Sequence, residues 1–508
     1  MKKLLLSIAL CSCAAFTFAQ DGKTFILSNN LPVGQNLKNN ASIEGTSYVF
    51  ESPVNSLSID TKNQTALVLL QHKSNYFNKG ILLNYNLEKK EAIWEKPVNL
   101  NKEKISLIPG LAIVKGSKQS TALNPADGAP SWETTTDFFY TDLEAQIGIG
   151  FPQKKFTVSN ELNGINLLNG EILWSRKFNH QFGINSVTPL GKETVLIVTD
   201  KIYALNLKDN SGWDYSINSG TTTLPETINL KIDNKYIEDT DYNSLQDGKT
   251  VCGLVSDPLI QDNKIYIASE DQVTCLSEDG KVLWKTPLQE KLTSRLRIFA
   301  AKGVLYVINT GYAYFDGKKI QYGMPFVAAF KQDNGEQIYQ TNLEKGFIVD
   351  YQAAGDKLYL LQPLRMAIVD LVSGKLLSRE LLEVPDRVEM VAFPHAGFYE
   401  AGENNVYKPL ISDNNRLYMI NERGKMVSYE LATKTFTPVA PEKLFRESFR
   451  TDDFVCISQN KNSILLDNSG QAIARLQLGA GSFADANRIY FVTENILYTV
   501  NIDAIKGK

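Results

Sequence analysis

Along the whole chain, apolar runs of four or five residues alternate with short polar turns. Thr194-Val195-Leu196-Ile197-Val198, Lys264-Ile265-Tyr266-Ile267-Ala268, Val304-Leu305-Tyr306-Val307 and Lys357-Leu358-Tyr359-Leu360 are rich in β-branched and aromatic residues. Each follows a turn containing Gly, Asp or Asn, which is the signature of strands. No window carries a sustained apolar stripe of period 3.6, and the runs are too short and too often broken by glycine for buried helix. The pattern predicts an all-β chain.

The strands recur as a unit: two β-runs, the second ending in Leu-Asn or a close variant, then a polar turn and an aromatic residue. Clear copies are Ala122-Leu123-Asn124 through Gly128 to Trp132, and Ile165-Asn166-Leu167 through Gly170 to Trp174. Two more are Tyr203-Ala204-Leu205-Asn206-Leu207 to Trp213, and Cys275-Leu276 through Gly280 to Trp284. Leu83-Asn84-Tyr85-Asn86-Leu87 leads to Trp94, so all five tryptophans occupy one position of one repeat. Weaker copies run through Gly335 to Tyr339 and through Gly374 to Leu377. The intervals from Trp94 through Trp132 and Trp174 to Trp213 are 38, 42 and 39 residues, and Tyr339 to Leu377 is 38.

A period of about forty residues holds four short strands and is the radial repeat of a β-propeller. One small twisted sheet cannot bury both faces, whereas a ring of them buries each against its neighbours. The recurring aromatics Trp94, Trp132, Trp174, Trp213, Trp284 and Tyr339 are placed on outer strands, packed between blades. The turn glycine supplies a backbone angle that a side chain obstructs. Counting decayed hairpins such as Ser463-Ile464-Leu465-Leu466 gives nine or ten candidates. The expectation adopted is eight blades, with the weak units as decorations. The ring is expected to close through an N-terminal strand, Thr24-Phe25-Ile26-Leu27, paired into a last blade built on Arg488–Val492 and Ile496–Val500.

Three excursions interrupt this rhythm. Residues 218–250 are polar and carry Glu226, Asp233, Glu238, Asp239, Asp241 and Asp247; residues 385–408 carry Pro385, Pro394 and His395. Residues 308–326 are aromatic: Tyr312, Tyr314, Phe315, Tyr322 and Phe326 form the best local hint of a binding surface, against the plainer reading of a hairpin extending from one blade. Long excursions from a rigid scaffold are favoured places for partner contacts, although tolerated surface insertions look the same.

The chain begins Met1-Lys2-Lys3 and then runs apolar to Ala19, a secretory signal with a small-x-small site before Gln20. The expected mature domain is therefore residues 20–508, after removal of a signal at 1–19. The alternative is lipidation at Cys13 within Leu10-Cys11-Ser12-Cys13, which tethers the same domain to a membrane. The whole chain has 53 basic and 56 acidic side chains; loss of Lys2 and Lys3 leaves 51 and 56, a formal charge of −5. That mild balance offers no basic stripe for nucleic acid. Contact with a membrane is expected only through a partner or the lipid anchor.

The unit ending Gly170-Glu171-Ile172-Leu173-Trp174 or Gly280-Lys281-Val282-Leu283-Trp284 resembles the repeat of the pyrroloquinoline-quinone-like propeller family. The resemblance covers most of residues 50–477. It implies a propeller, and it spans both quinoprotein dehydrogenases and non-catalytic members such as the propeller subunit of the outer-membrane protein assembly machinery. Enzyme members hold the quinone over calcium, many beneath a disulfide of adjacent cysteines; here no two mature cysteines are adjacent. Cys252 and Cys275 are expected on the inner and third strands of one blade, too far apart for a disulfide.

No catalytic, cofactor or metal residue is assigned. Asp257, in Val255-Ser256-Asp257-Pro258, is the strongest carboxylate candidate, against the reading of a turn before Pro258. His72, His180 and His395 show no metal-ligand spacing and read as surface or turn residues. Asp239 and Asp241 lack the EF-hand pattern. The expected function is a scaffold in the periplasm or at an outer membrane that binds envelope proteins and takes no cofactor. The alternatives are a quinone- or metal-dependent oxidoreductase and a carbohydrate-binding propeller.

Overall fold

The computed structural model describes residues 26–73, 78–116, 118–153, 159–180, 182–221, 250–288, 293–315, 318–344, 346–382, 388–391, 397–410, 416–421, 423–440, 444–479 and 481–506. Eight successive segments each fold into a four-stranded antiparallel sheet, hereafter units 1 to 8: residues 54–99, 104–134, 136–177, 186–216, 259–287, 296–342, 350–381 and 388–438. In each, a strand pairs with the one that follows it in the unit, so the four lie side by side in chain order. The chain is all-β and built of successive four-stranded antiparallel sheets.

Unit 4 shows why the apolar runs are continuous rather than alternating. Its second strand, Thr194–Val198, and third, Lys201–Asn206, are buried on both faces, because each sheet is sandwiched between two others. Val195, Ile197, Tyr203 and Leu205 pack on Ile147, Ile149, Leu162 and Trp174 of unit 3. Their strand neighbours Leu196, Val198, Ile202 and Ala204 point the other way, onto Ile265, Ile267 and Leu276 of unit 5. One run of five residues thus supplies two cores, as the period-2 direction of strand side chains requires.

Each repeat aromatic reaches from its own fourth strand to the turn of the next unit. The indole Nε1 of Trp94 donates to the Pro125 carbonyl at 2.9 Å, that of Trp132 to Leu167 at 3.1 Å, and that of Trp174 to Leu207 at 2.8 Å. Trp213 donates to Glu278 at 2.8 Å, Trp284 to Gln332 at 3.2 Å, and the Tyr339 hydroxyl to Leu371 at 2.9 Å. The rings lie against the turn glycine: a Cβ on Gly170, at φ +74°, would sit 2.7 Å from Trp132. Where glycine is missing, Asn210 holds the left-handed conformation at φ 60°.

The aromatic series ends at unit 7, where Leu377 is exposed, and an ionic contact takes over. Glu380 of unit 7 accepts from the Tyr429 hydroxyl and pairs with Lys434 at 3.1 Å, both in unit 8. Burial alone would raise the Glu380 carboxyl; the hydrogen bonds from Tyr429 and Lys434 outweigh it and hold the group below its ordinary value. A depressed folded-state pKa contributes stability that is full above the unfolded value near 4.5 and is lost as pH falls through the folded value. Glu380→Gln is therefore expected to lower the melting temperature at pH 7 and to flatten its fall between about pH 5 and 3, read by scanning calorimetry. An unchanged acid limb would show that Glu380 contributes nothing there.

Of the remaining strands, eleven form one sheet that joins two further units edge to edge. Residues 444–476 supply four strands, and residues 481–501 supply three, whose fourth partner is the N-terminal strand Ser42–Val49, paired with Ile496–Asn501. These are units 9 and 10. Leu27–Asn36 pairs on one side with Ser42–Val49 and on the other with Ala472–Leu476. Tyr48, Tyr490 and Leu497 share a core with Ile59, Ala66, Val68 and Leu83 of unit 1.

Among the described residues there are thus more four-stranded units than the eight expected. The copies after residue 385 lack both tryptophan and, in unit 8, the turn glycine under a stacked ring, yet their strands pair in full. The strand expected at Thr24–Leu27 also differs. Thr24 and Phe25 lie outside the described residues, and the pairing is made by Ser42–Val49, whose polar sequence hid it. The 385–408 excursion, as far as it is described, contains the first strand of unit 8 and the hairpin Phe398–Ala401 with Tyr407–Pro409, which pairs with Leu444–Arg450 of unit 9.

Candidate functional site: an accessory sheet beside the blades

Strand direction alternates within a unit, so the links between second and third strands and the links between units emerge at the same end. Two of these links, far apart in sequence, meet there. Gly220–Thr221 and Val251–Cys252, from the link between units 4 and 5, pair with each other, and Val251–Cys252 pairs in turn with Tyr312–Phe315 of the hairpin that continues in Lys318–Gln321 and is inserted into unit 6. Together they form a four-stranded sheet that belongs to no blade. Residues 222–249, which include most of the acidic excursion with Asp239 and Asp241, lie outside the described residues.

The aromatic cluster of that hairpin is corrected in part. Tyr312 and Tyr314 are buried with Cys252, against Phe182 and Phe347, and Phe326 is wholly buried in the core between units 5 and 6. Phe315 and Tyr322 are half-buried beside Val251, Leu254, Ala313 and Ile320. Phe182 and Phe347 pack against Tyr312, Tyr314 and Cys252, so these two tyrosine rings become core rather than an open platform. The polar handle that remains is Lys319, whose ammonium lies 3.8 Å from the centre of the Tyr312 ring.

Beneath the sheet, Asp257 bridges two arginines. Arg295 donates to Asp257 Oδ1 at 3.0 Å and to the Val255 carbonyl at 3.0 Å, and Arg297 donates to Asp257 Oδ2 at 3.2 Å. The Arg295 side chain is only 8% exposed, while Asp257 is 47% exposed. Tyr351 of unit 7 is pushed up by burial, which the nearby Arg297 partly offsets. Asp257 is therefore more than a bare turn residue, because both its oxygens hold guanidinium groups. Neither arginine was singled out from the sequence. Their alternation in Arg295-Leu296-Arg297, two residues apart on one face of a strand start, is the signal that could have found them.

The other expected residues fall as follows. Trp94, Trp132, Trp174 and Trp284 are buried, and Trp213 and Tyr339 are half-buried, each at a junction between units. Cys275 lies on the third strand of unit 5, but Cys252 belongs to the accessory sheet rather than to that blade's inner strand. Both, like Cys456, are buried thiols outside any disulfide, and burial pushes the Cys275 thiol up, which keeps it in its unreactive form. His180 is buried between Phe151 and Phe178, with Nε2 on the Ser159 carbonyl at 2.8 Å, rather than at the surface. The side chains of His72 and His395, and Cys13, lie outside the described residues. Among the described residues no cluster of three metal-ligating side chains occurs.

Comparison with known proteins bears on this half of the chain. Residues 241–477 match the family model described as outer membrane protein assembly factor BamB. No curated protein matches. Among solved structures, BamB from Moraxella catarrhalis is 15% identical, with a TM-score of 0.34 over 75% of this chain and 97% of that one. The computationally designed Ika8 protein is 8% identical, with a TM-score of 0.33 over 72% and 96%; Kluyveromyces lactis Hsv2 is 8% identical, with 0.27 over 76% and 97%. By its repeat and by the match over residues 241–477, this chain resembles the pyrroloquinoline-quinone-like propeller family in its BamB branch.

Proposed function

We propose that this chain is an exported, non-catalytic propeller that holds protein partners together in the cell envelope, as an outer-membrane assembly factor does. The match of residues 241–477 to the assembly-factor family carries the reading, because that stretch contains the inserted hairpin, the Val251–Cys252 strand and the Asp257 cluster. The domain spans residues 20–508, released by cleavage after Ala19, with Cys13 as the alternative lipid attachment point. The blades form a closed ring, with Ser42–Val49 as the last unit's fourth strand; the core shared by Tyr48, Leu497 and Val68 supports this. The partner docks at the end that bears the accessory sheet.

Capture of partners from native envelope membranes tests the reading, with the mass of the mature N-terminus measured in the same sample. Wild-type protein is expected to recover a defined envelope protein, and Lys319→Glu to recover at most about a tenth as much with unchanged melting, the size of a truncated interface hot spot. Stoichiometric uptake of quinone with calcium, seen as cofactor absorbance, would instead place the chain with the oxidoreductases. Equal recovery by Lys319→Glu would remove the accessory sheet from the docking surface.

A further inference from the structure

The repeat aromatics fasten each unit to the next from unit 1 to unit 7, but no repeat aromatic is available where the chain returns to its start. There the N-terminal hairpin supplies two donors of its own. Tyr48, on Ser42–Val49, gives its hydroxyl to the Leu87 carbonyl in the turn of unit 1, at 2.8 Å. That carbonyl stands where Leu167, Leu207 and Leu371 stand in units 3, 4 and 7. Tyr48 is 2% exposed and pairs with Leu497, so it reaches the turn from within the core between units 10 and 1.

Asn36, at the end of Leu27–Asn36, does the corresponding work one junction earlier. Its Nδ2 donates to the Ile505 carbonyl at 2.7 Å and to Ala504 at 3.3 Å, while its Oδ1 accepts from the backbone of Lys38 and Asn39. Ile505 lies in the short helix Ile502–Lys506, which follows Asn501. Asn501 caps the Asp503 amide as Asn86 caps Glu88 and Asn166 caps Leu168, so the helix occupies the place of the repeat turn in unit 10. Asn36 is fully buried, and Gly34 beside it approaches Arg475 so closely that a Cβ would lie 2.2 Å from its carbonyl oxygen.

We infer that residues 27–49 are a two-junction strap in which Asn36 fastens unit 9 to unit 10 and Tyr48 fastens unit 10 to unit 1. This rests on the closed-ring reading. The strap spares the last two units the tryptophan of the repeat. It also makes the ring's integrity depend on a segment that no other unit can replace.

Amide exchange of the full mature chain, followed by mass spectrometry, tests the strap. Tyr48→Phe keeps the ring and removes the donor, leaving a buried carbonyl unpaired; exchange at residues 54–60 and 496–501 is expected to quicken about tenfold, with units 4 to 6 unchanged. Asn36→Ala is expected to quicken the helix 502–506 and residues 472–476 instead. A uniform change or none overturns the strap. A permutant that begins at residue 51 and carries residues 26–50 after a Gly-Ser linker at the C-terminus separates the two ideas. If it loses protection between units 10 and 1, the closed ring fails. If it keeps that protection while both point variants are silent, the ring stands and the strap alone falls.

Discussion

Replacing Trp174 with alanine is expected to lower the unfolding free energy by about 3–5 kcal/mol, the range for removing a large buried aromatic. The indole is buried in the core between units 3 and 4, together with Ile149, Leu162, Val195 and Leu205, so its loss leaves a cavity that two rigid sheets cannot close. The Leu207 carbonyl also loses its donor. The turn residue beneath each ring gives a matched control. Gly170→Ala forces a Cβ into the Trp132 ring at a backbone angle of φ +74°, and a cost of about 2–3 kcal/mol is expected from overpacking and strain together. Asn210→Gly, beneath Trp174, is expected to be close to neutral, because glycine adopts the same left-handed conformation freely. Chemical denaturation with fluorescence detection measures all three, and a Gly170→Ala variant as stable as wild type would show that the ring–turn contact is not tight.

The contrast between these positions explains what the sequence disclosed. A ring packed on a turn demands a bulky aromatic and a residue tolerant of positive φ at fixed spacing, so both leave a visible mark, as in Gly170 and Trp132. Where the same job is done by other chemistry, nothing marks it. Glu380 with Tyr429 and Lys434 fastens units 7 and 8 through charge and hydroxyl groups that read as ordinary surface residues. For this reason the weak copies among the nine or ten candidates read as decorations. The closing strand was hidden for another: Ser-Ile-Glu-Gly-Thr-Ser-Tyr-Val alternates buried and exposed positions, but its small polar members weaken the apolar signal.

Legibility of the candidate site was poorer, since it depends on contacts between segments some sixty residues apart. A hairpin was the plainer of the two readings of the 308–326 excursion, and its face could not be assigned without knowing that Val251–Cys252 pairs with its edge. Aromatic residues in an excursion signal burial as readily as recognition. Tyr312 and Tyr314 illustrate the first case, and the charge of Lys319 over the ring is what remains for a partner.

Asp257→Ala is expected to cost about 2 kcal/mol, more than Arg297→Ala at about 0.5–1 kcal/mol, although each removes one end of an ion pair. The difference lies in what is left behind. Without Asp257, the buried Arg295 guanidinium keeps the Val255 carbonyl but loses its counter-charge; without Arg297, Asp257 stays half in water and still holds Arg295. Breaking a fully buried pair costs about 3–5 kcal/mol, and the smaller figure here reflects solvent reaching Asp257. Removing both partners tests the logic: Asp257→Ala with Arg295→Met is expected to regain about half of the loss, since no uncompensated charge remains. Strictly additive losses would show that the pair is not coupled. The backbone of Arg295 also accepts from the Thr310 amide and donates to the Tyr312 carbonyl, at 2.9 and 2.7 Å, so the same residue positions the start of the inserted hairpin. Disturbing the ion pair is thus expected to loosen the accessory sheet before the blades, which is the order in which amide protection should be lost.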